Sequence, residues 1–204
     1  KNADIICFPA SCLGNSVLDV KSKEIKKIQE ICKMKSIYCI VGAHIKEKSK
    51  VFNSAVLINR VGEIQYIYKK IHLFPGLDLK KTSAGKQNKV IETDFGRIGI
   101  IICWDFAFPE EIRKLSKKGA QIIFCPSYLL KEANISKEVL RSYPIIRAFE
   151  NCVYFVTCDA FTDEVLGESY IFSPLKNLNK IKDREGIIYS ELDLKKLTCL
   201  KGAI

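Results

Sequence analysis

Phe95-Gly96-Arg97-Ile98-Gly99-Ile100-Ile101-Ile102-Cys103-Trp104-Asp105-Phe106-Ala107-Phe108-Pro109-Glu110 is the stretch on which the fold turns. Ile98 and Ile100 to Ile102 form, with Gly99, an apolar run that no charge interrupts and that ends on Cys103. This is the pattern of a strand buried on both faces. Pro109 and the acidic pair Glu110-Glu111 then open a helical pattern through Ile112, Leu115 and Ala120, with proline near the first turn, where its missing N–H costs least. A thiol therefore stands where a buried strand gives way to a loop and a helix, the place where open α/β sheets keep their chemistry. Taken alone, a strand-end cysteine is a small packing residue. Its neighbours decide otherwise.

Outward from this stretch, strands and helices alternate. Towards the N-terminus, residues 3–9 read as a strand closed by Pro9, residues 11–19 as a loop, and residues 20–34 as a surface helix with Ile25, Ile28, Ile31 and Cys32 on one face. Residues 36–43, 51–59 and 63–69 read as strands, the last two joined by a turn at Val61-Gly62. Residues 75–89 lack apolar periodicity and read as a long loop of the functional kind. Strands at 90–93 and 98–103, a helix at 110–118, a strand at 120–125, a helix at 136–151 and strands at 152–158 and 169–173 follow. A short strand at Lys180-Ile181 and a last one at 186–192 close the set. The pattern is a mixed α/β domain.

Tyr68-Lys69-Lys70-Ile71-His72-Leu73-Phe74-Pro75, together with the Cys103 stretch, closely resembles two of the three signature blocks of the nitrilase (carbon–nitrogen hydrolase) superfamily. The resemblance extends through Arg147-Ala148-Phe149-Glu150-Asn151, Gly167-Glu168-Ser169 and Ser173-Pro174. It implies a four-layer α-β-β-α sandwich of two mixed sheets, and a Glu–Lys–Cys triad that cleaves amide or nitrile C–N bonds. Carried over residue by residue, Cys103 aligns with the nucleophile, Lys70 with the lysine that stabilises the oxyanion, and Trp104 supplies the second oxyanion donor through its backbone N–H. Because side chains alternate along a strand, Lys69 and Lys70 face opposite ways and only one enters the site. The first block departs from the pattern: the family has Phe-Pro-Glu, whereas this chain has Phe8-Pro9-Ala10. Alanine accepts no proton. Asp78 stands near the position of a second family carboxylate that positions substrate, and is also the one nearby substitute for the base. Tyr128, in Pro126-Ser127-Tyr128, corresponds to the pocket wall and is expected to meet substrate. His72 belongs to the scaffold of the lysine block, and Arg147 and Glu150, three apart on a helix, are expected to pair as structural support.

The totals set the bounds. A chain of 204 residues with 48% hydrophobic content suits one large domain over residues 1–204. No apolar run approaches a membrane span, and no basic-then-apolar leader opens the chain. The nine cysteines are odd in number and form no Cys-x-x-Cys pair, and there are two histidines. These features argue against a zinc site and for buried thiols in a reducing compartment, the cytoplasm. The net charge of +10 raises nucleic-acid binding as a rival. The lysines are dispersed, however, without an aromatic platform, as on solvated faces. Family members begin with a further strand and helix, so the expectation is either a fragment of a longer chain or a fold that lacks that first strand and helix. The resulting expectation is a hydrolase of small amide or N-carbamoyl substrates, with a thioester intermediate, no metal or organic cofactor, and self-association into a homo-oligomer. Its alternative is a catalytically inactive nitrilase-like scaffold that binds a ligand or protein partner.

Overall fold

The computed structural model describes residues 3–201. The chain divides into two compact units, residues 1–87 and 88–204.

The first unit comprises β1 (Ile5–Cys7), β2 (Val17–Leu18), α1 (Lys23–Lys35), β3 (Tyr38–Glu47), β4 (Lys50–Ile58) and β5 (Ile64–Lys69). Its sheet runs β1-β3-β4-β5, with β2 also paired to β3. β1 and β2 lie parallel to β3, and the β3-β4-β5 meander is antiparallel. Helix α1 starts where the Ser22 side chain accepts the Ile25 N–H and stops where Ser36 turns left-handed, its N–H closing on the Cys32 and Lys33 carbonyls. Both ends thus satisfy backbone groups that the helix leaves open. The buried face of α1, Ile25 and Cys32, packs on the odd positions of β3, namely Cys39, Val41, Ala43 and Ile45, and on Val56 and Ile58 of β4. The alternation of side chains therefore sends Gly42 and His44 to the opposite face, where they pair with Ala55 and Asn53. Between β4 and β5, the Asn59 side chain accepts the N–H groups of Val61 and Glu63.

The second unit is built from β6 (Ile91–Thr93), β7 (Gly96–Ile100), a 3-10 turn (Cys103–Ala107), α2 (Pro109–Lys117), β8 (Ile122–Ser127), α3 (Lys137–Asn151), β9 (Tyr154–Asp159), β10 (Glu168–Phe172), β11 (Asn177–Lys182) and α4 (Leu194–Lys201). Its sheet order is β11-β10-β9-β8-β7-β6. The central trio β7, β8 and β9 is parallel, and its two crossovers carry α2 and α3. The flanking pairs are antiparallel. β8 is buried along its whole length and β7 from Ile98 to Ile100, as their apolar runs require.

Three elements differ from the sequence reading. Residues 186–192 form no strand: β11 takes the edge beside β10, and Ile187 and Tyr189 find no sheet face and stay exposed. Helix α4 begins instead after Asp193, whose carboxylate accepts the N–H groups of Lys195 and Lys196. Within the stretch read as a loop, Val17–Leu18 pair with His44 and Ile45.

Outside the central strands, a charged clamp ties α3 to β10. Glu168, 2% exposed, receives Arg141 Nε at 2.9 Å, the Tyr170 hydroxyl and, at 3.3 Å, Lys182 Nζ. Burial pushes its carboxyl up, but these donors prevail and hold it at about 2. Replacing Glu168 with Gln leaves two cations without their countercharge and is expected to cost about 2–3 kcal/mol, since Arg141 keeps part of its hydration. The stabilisation is present above the ordinary glutamate value near 4.3 and is lost as pH falls towards 2. Urea midpoints at pH 7 and pH 3 measure both: the gap between parent and Glu168→Gln is wide at pH 7 and narrows at pH 3.

Candidate active site

In the first unit, Lys70 follows β5, with its N–H on the Asn53 carbonyl at 2.9 Å. Its neighbour Lys69 takes the other face, where it pairs with Glu47 and lies over the Phe52 ring. Lys70 is 2% exposed and its ammonium pairs with Asp78, itself 3% exposed. Asp78 also accepts the Phe74 N–H at 2.9 Å and Asn53 Nδ2 at 3.0 Å. Burial pushes the Asp78 carboxyl up, but the Lys70 charge and these donors outweigh it and keep the group below the usual carboxylate range. Asp78 is therefore ionised and engaged by three donors.

The loop that carries Asp78 is anchored at several points. Thr82 donates to the Asp78 carbonyl through both N–H and Oγ, Ser83 N–H reaches the Val51 carbonyl, and Gly85 N–H reaches that of Lys70. A side chain at Gly85 would collide with the Lys69 backbone, so the loop comes this close only with glycine there. Ala10 is buried, and its backbone covers Gly42: a Cβ on Gly42 would stand 2.6 Å from the Ala10 Cα. Ala10 thus lies on the face of β3 that carries His44. His72 is half-buried in the stretch after Lys70.

In the second unit, Cys103 is nearly buried and adopts φ +47, the left-handed region that a residue with a Cβ enters at a cost of roughly 1–2 kcal/mol. The turn is held from below. Fully buried Asp105 accepts the Ile102 N–H at 2.9 Å, and Cys125, whose thiol burial pushes up, donates to the Cys103 carbonyl. Arg147 reaches from α3 to the Phe106 and Ala107 carbonyls and pairs with Glu150 at 2.9 Å. The Cys103 thiol donates to the Tyr128 carbonyl at 3.5 Å, whereas the Tyr128 hydroxyl donates to Glu164 at 3.2 Å. Trp104 follows in the 3-10 turn, its indole edge-on to Phe108.

Sequence reasoning missed Asp159. At the end of β9 it accepts the Leu129 and Gly167 N–H groups, each at 3.0 Å, and so fixes the segment that presents the Tyr128 carbonyl. Burial pushes its carboxyl up to about 7 against the pull of four backbone donors. Asn53 and His44 were missed as well, although β3–β4 register sets them opposite each other. The structure thus brings Lys70 to Asp78, and Cys103 to the main chain of Tyr128. Among the described residues, no group of three His, Cys, Asp or Glu is placed to hold a metal, the eight described cysteines are free thiols, and no helix is long and apolar enough to cross a membrane.

The sequence matches the family profile of the carbon-nitrogen hydrolases over residues 1–201. It is 33% identical over 158 residues to a probable nitrilase of Schizosaccharomyces pombe, covering 73% of this chain and 56% of the relative. The chain thus spans little more than half the length of that relative. It is 29% identical over 201 residues to omega-amidase NIT2 of Homo sapiens, covering 91% of this chain and 72% of that protein. Among solved structures, Saccharomyces cerevisiae Nit3, a member of branch 10 of the nitrilase superfamily, superposes with a TM-score of 0.86 at 21% identity, covering 98% of this chain and 80% of Nit3. That likeness shows the fold class, a mixed α/β fold with two mixed sheets of the nitrilase kind.

The Lys70–Asp78 pair sets a test of stability. Asp78→Ala leaves a buried ammonium without its partner and is expected to cost about 3–5 kcal/mol, most of which Lys70→Met in the same chain recovers by removing the orphaned charge. Because the folded-state value of Asp78 is lowered, its contribution is present above the ordinary aspartate value near 3.9 and fades as pH falls below it. Thermal unfolding of the single and double variants at pH 7 and pH 3 reads both effects.

Proposed function

The chain belongs to the carbon–nitrogen hydrolase family of the nitrilase superfamily, and on that premise we propose that it hydrolyses small linear amides or N-carbamoyl compounds through a thioester on Cys103. The observation that carries this reading is the left-handed Cys103, a strained residue between a buried strand and a 3-10 turn, held by Asp105 and Arg147 and with its thiol directed at a main-chain carbonyl. Strain kept at one residue under such support is a mark of functional sites. The name of the human relative, an omega-amidase, favours terminal amides over nitriles.

In this reading the Cys103 sulfur bonds to the carbonyl carbon, and the electron pair of the C=O bond moves to oxygen. The Lys70 ammonium and the Trp104 N–H stabilise the resulting oxyanion. The C–N bond then breaks as nitrogen takes up the proton that the thiol released, and the amine departs. Water attacks the thioester, the C–S bond breaks, and the thiol recovers its proton beside the acid product. Asp78 serves by holding Lys70 charged and oriented. Its lowered carboxyl pKa and its three donors speak against the second role that the sequence left open, that of base.

Ala10 occupies the position of the family's basic glutamate, so the reaction runs without that carboxylate. General-base help is worth about 10²–10⁴ in rate. The same residue favours the second reading, a nitrilase-like scaffold that binds a ligand or protein partner without turnover. A cytoplasmic, reducing setting suits the free thiols, and self-association into a homo-oligomer follows the family pattern.

Labelling with iodoacetamide followed by intact mass, from pH 5 to 9, separates the readings. The hydrolase reading expects Cys103 to label with a profile that saturates below the free-thiol value near 8.5. It also expects Cys103→Ala to lose both label and amide turnover, and Ala10→Glu to raise kcat about 10²–10⁴-fold. A Cys103 that is inert in the parent chain and reactive only in Ala10→Glu gives the lead to the scaffold.

A further inference from the structure

The face of the first sheet opposite α1 carries two buried hydrogen-bond acceptors that have no partner among the described residues, His44 Nδ1 and Asn53 Oδ1. Strand register sets these residues directly opposite each other, which brings their Cβ atoms to about 5 Å. Lys70 lies alongside through its N–H bond to the Asn53 carbonyl.

Both acceptors are fixed by what the other end of each side chain does. Asn53 gives its Nδ2 to Asp78 Oδ1 at 3.0 Å, which settles the amide orientation and leaves Oδ1 as the acceptor. The His44 ring bonds to the backbone of Gly14. That nitrogen carries the proton, and Nδ1 presents a lone pair. Burial, with Lys81 and Lys70 adding to it against the charge of Asp78, keeps His44 below the ordinary histidine range. The ring is neutral at pH 7. Buried acceptors left unpaired are rare and lower stability until a donor meets them.

The chemistry of this face has one simple complement. Two neighbouring acceptors suit an NH2 group with its two N–H bonds. Resting on the amide reading above, we propose that His44 Nδ1 and Asn53 Oδ1 receive the NH2 group of a primary carboxamide. His44 is on this account a specificity-determining residue. An ester of the same acyl chain offers the same carbonyl but no N–H, and it leaves both acceptors unpaired. A site built to receive an N–H discriminates strongly against the analogue without it.

The test uses the full chain with the histidines labelled with ¹⁵N, in the Cys103→Ala background so that nothing is consumed, titrated with propionamide and with methyl propionate. Propionamide is expected to shift the His44 ring resonances at pH 7, and methyl propionate to leave them unmoved. His44→Phe is expected to weaken propionamide about tenfold, the worth of one hydrogen bond, followed on backbone resonances around Lys70, with no change for the ester. His44→Gln, which keeps an acceptor, is expected to restore much of the preference and guards against a folding defect in the Phe variant. Affinity for the amide, and not for the ester, is expected to fall as pH drops through the lowered value of His44, because the imidazolium no longer accepts.

Equal propionamide binding in the parent and in His44→Phe overturns the proposal and leaves the amide reading standing. A chain that binds neither compound, and whose Cys103 form is not acylated by propionamide, overturns both.

Discussion

A buried ammonium and a buried carboxylate, Lys70 and Asp78, govern the first unit. Each ion alone would be too expensive to remove from water, so both must be present, charged and surrounded by donors. That requirement reaches well beyond the pair. It draws Asn53 from β4 and the Phe74 N–H into the same cluster, and with them the loop whose turn is closed on the Asp78 carbonyl and pinned at Val51 and Lys70. A loop without apolar periodicity is ordered here because a carboxylate in its middle has nowhere cheaper to go. The lysine is left buried and held against its carboxylate, in a setting where charges interact more strongly than in water.

The second unit solves a different problem, that of holding a thiol in a backbone conformation it would not choose. Cys103 lies at positive φ, and three side chains support that turn through hydrogen bonds to main chain: Asp105 to the Ile102 N–H, Cys125 to the Cys103 carbonyl, and Arg147 to the Phe106 and Ala107 carbonyls. Asp159 does the same for the segment that ends in the Tyr128 carbonyl. These supports come from four separate elements. A cavity or a lost charge at Asp105, Arg147 or Asp159 therefore acts on the Cys103 turn through its main-chain neighbours.

Much of this was legible in the sequence because it rests on period and position. Alternation alone separates Lys69 from Lys70, and the apolar runs of β7 to β9 can be nothing but central strands. Arg147 and Glu150 pair because three residues on a helix bring them to one face. What escaped depends on register and on partners distant in the chain. Read as ending at Ala43, the third strand excluded His44, although a longer hairpin with β4 sets it opposite Asn53. Asp159 looks like an ordinary polar strand end until the backbone donors of two loops converge on it. The stretch 186–192 alternates like a strand, but a sheet edge has room for one strand, and β11 occupies it. Local pattern cannot decide between two candidates for one edge.

Ala10 gains a different meaning from this arrangement. Its backbone lies against Gly42, on the face of β3 that continues to His44 one pleat further on. A carboxylate in place of Ala10 would add a negative charge to a surface where Asp78 is already ionised. With alanine there, Asp78 and Lys70 balance each other, and beside them stand a neutral imidazole and an amide oxygen. On the proposal made above, such a face would discriminate by hydrogen-bond pattern, since a net charge attracts counterions of any shape, whereas two fixed acceptors call for a ligand that brings two donors.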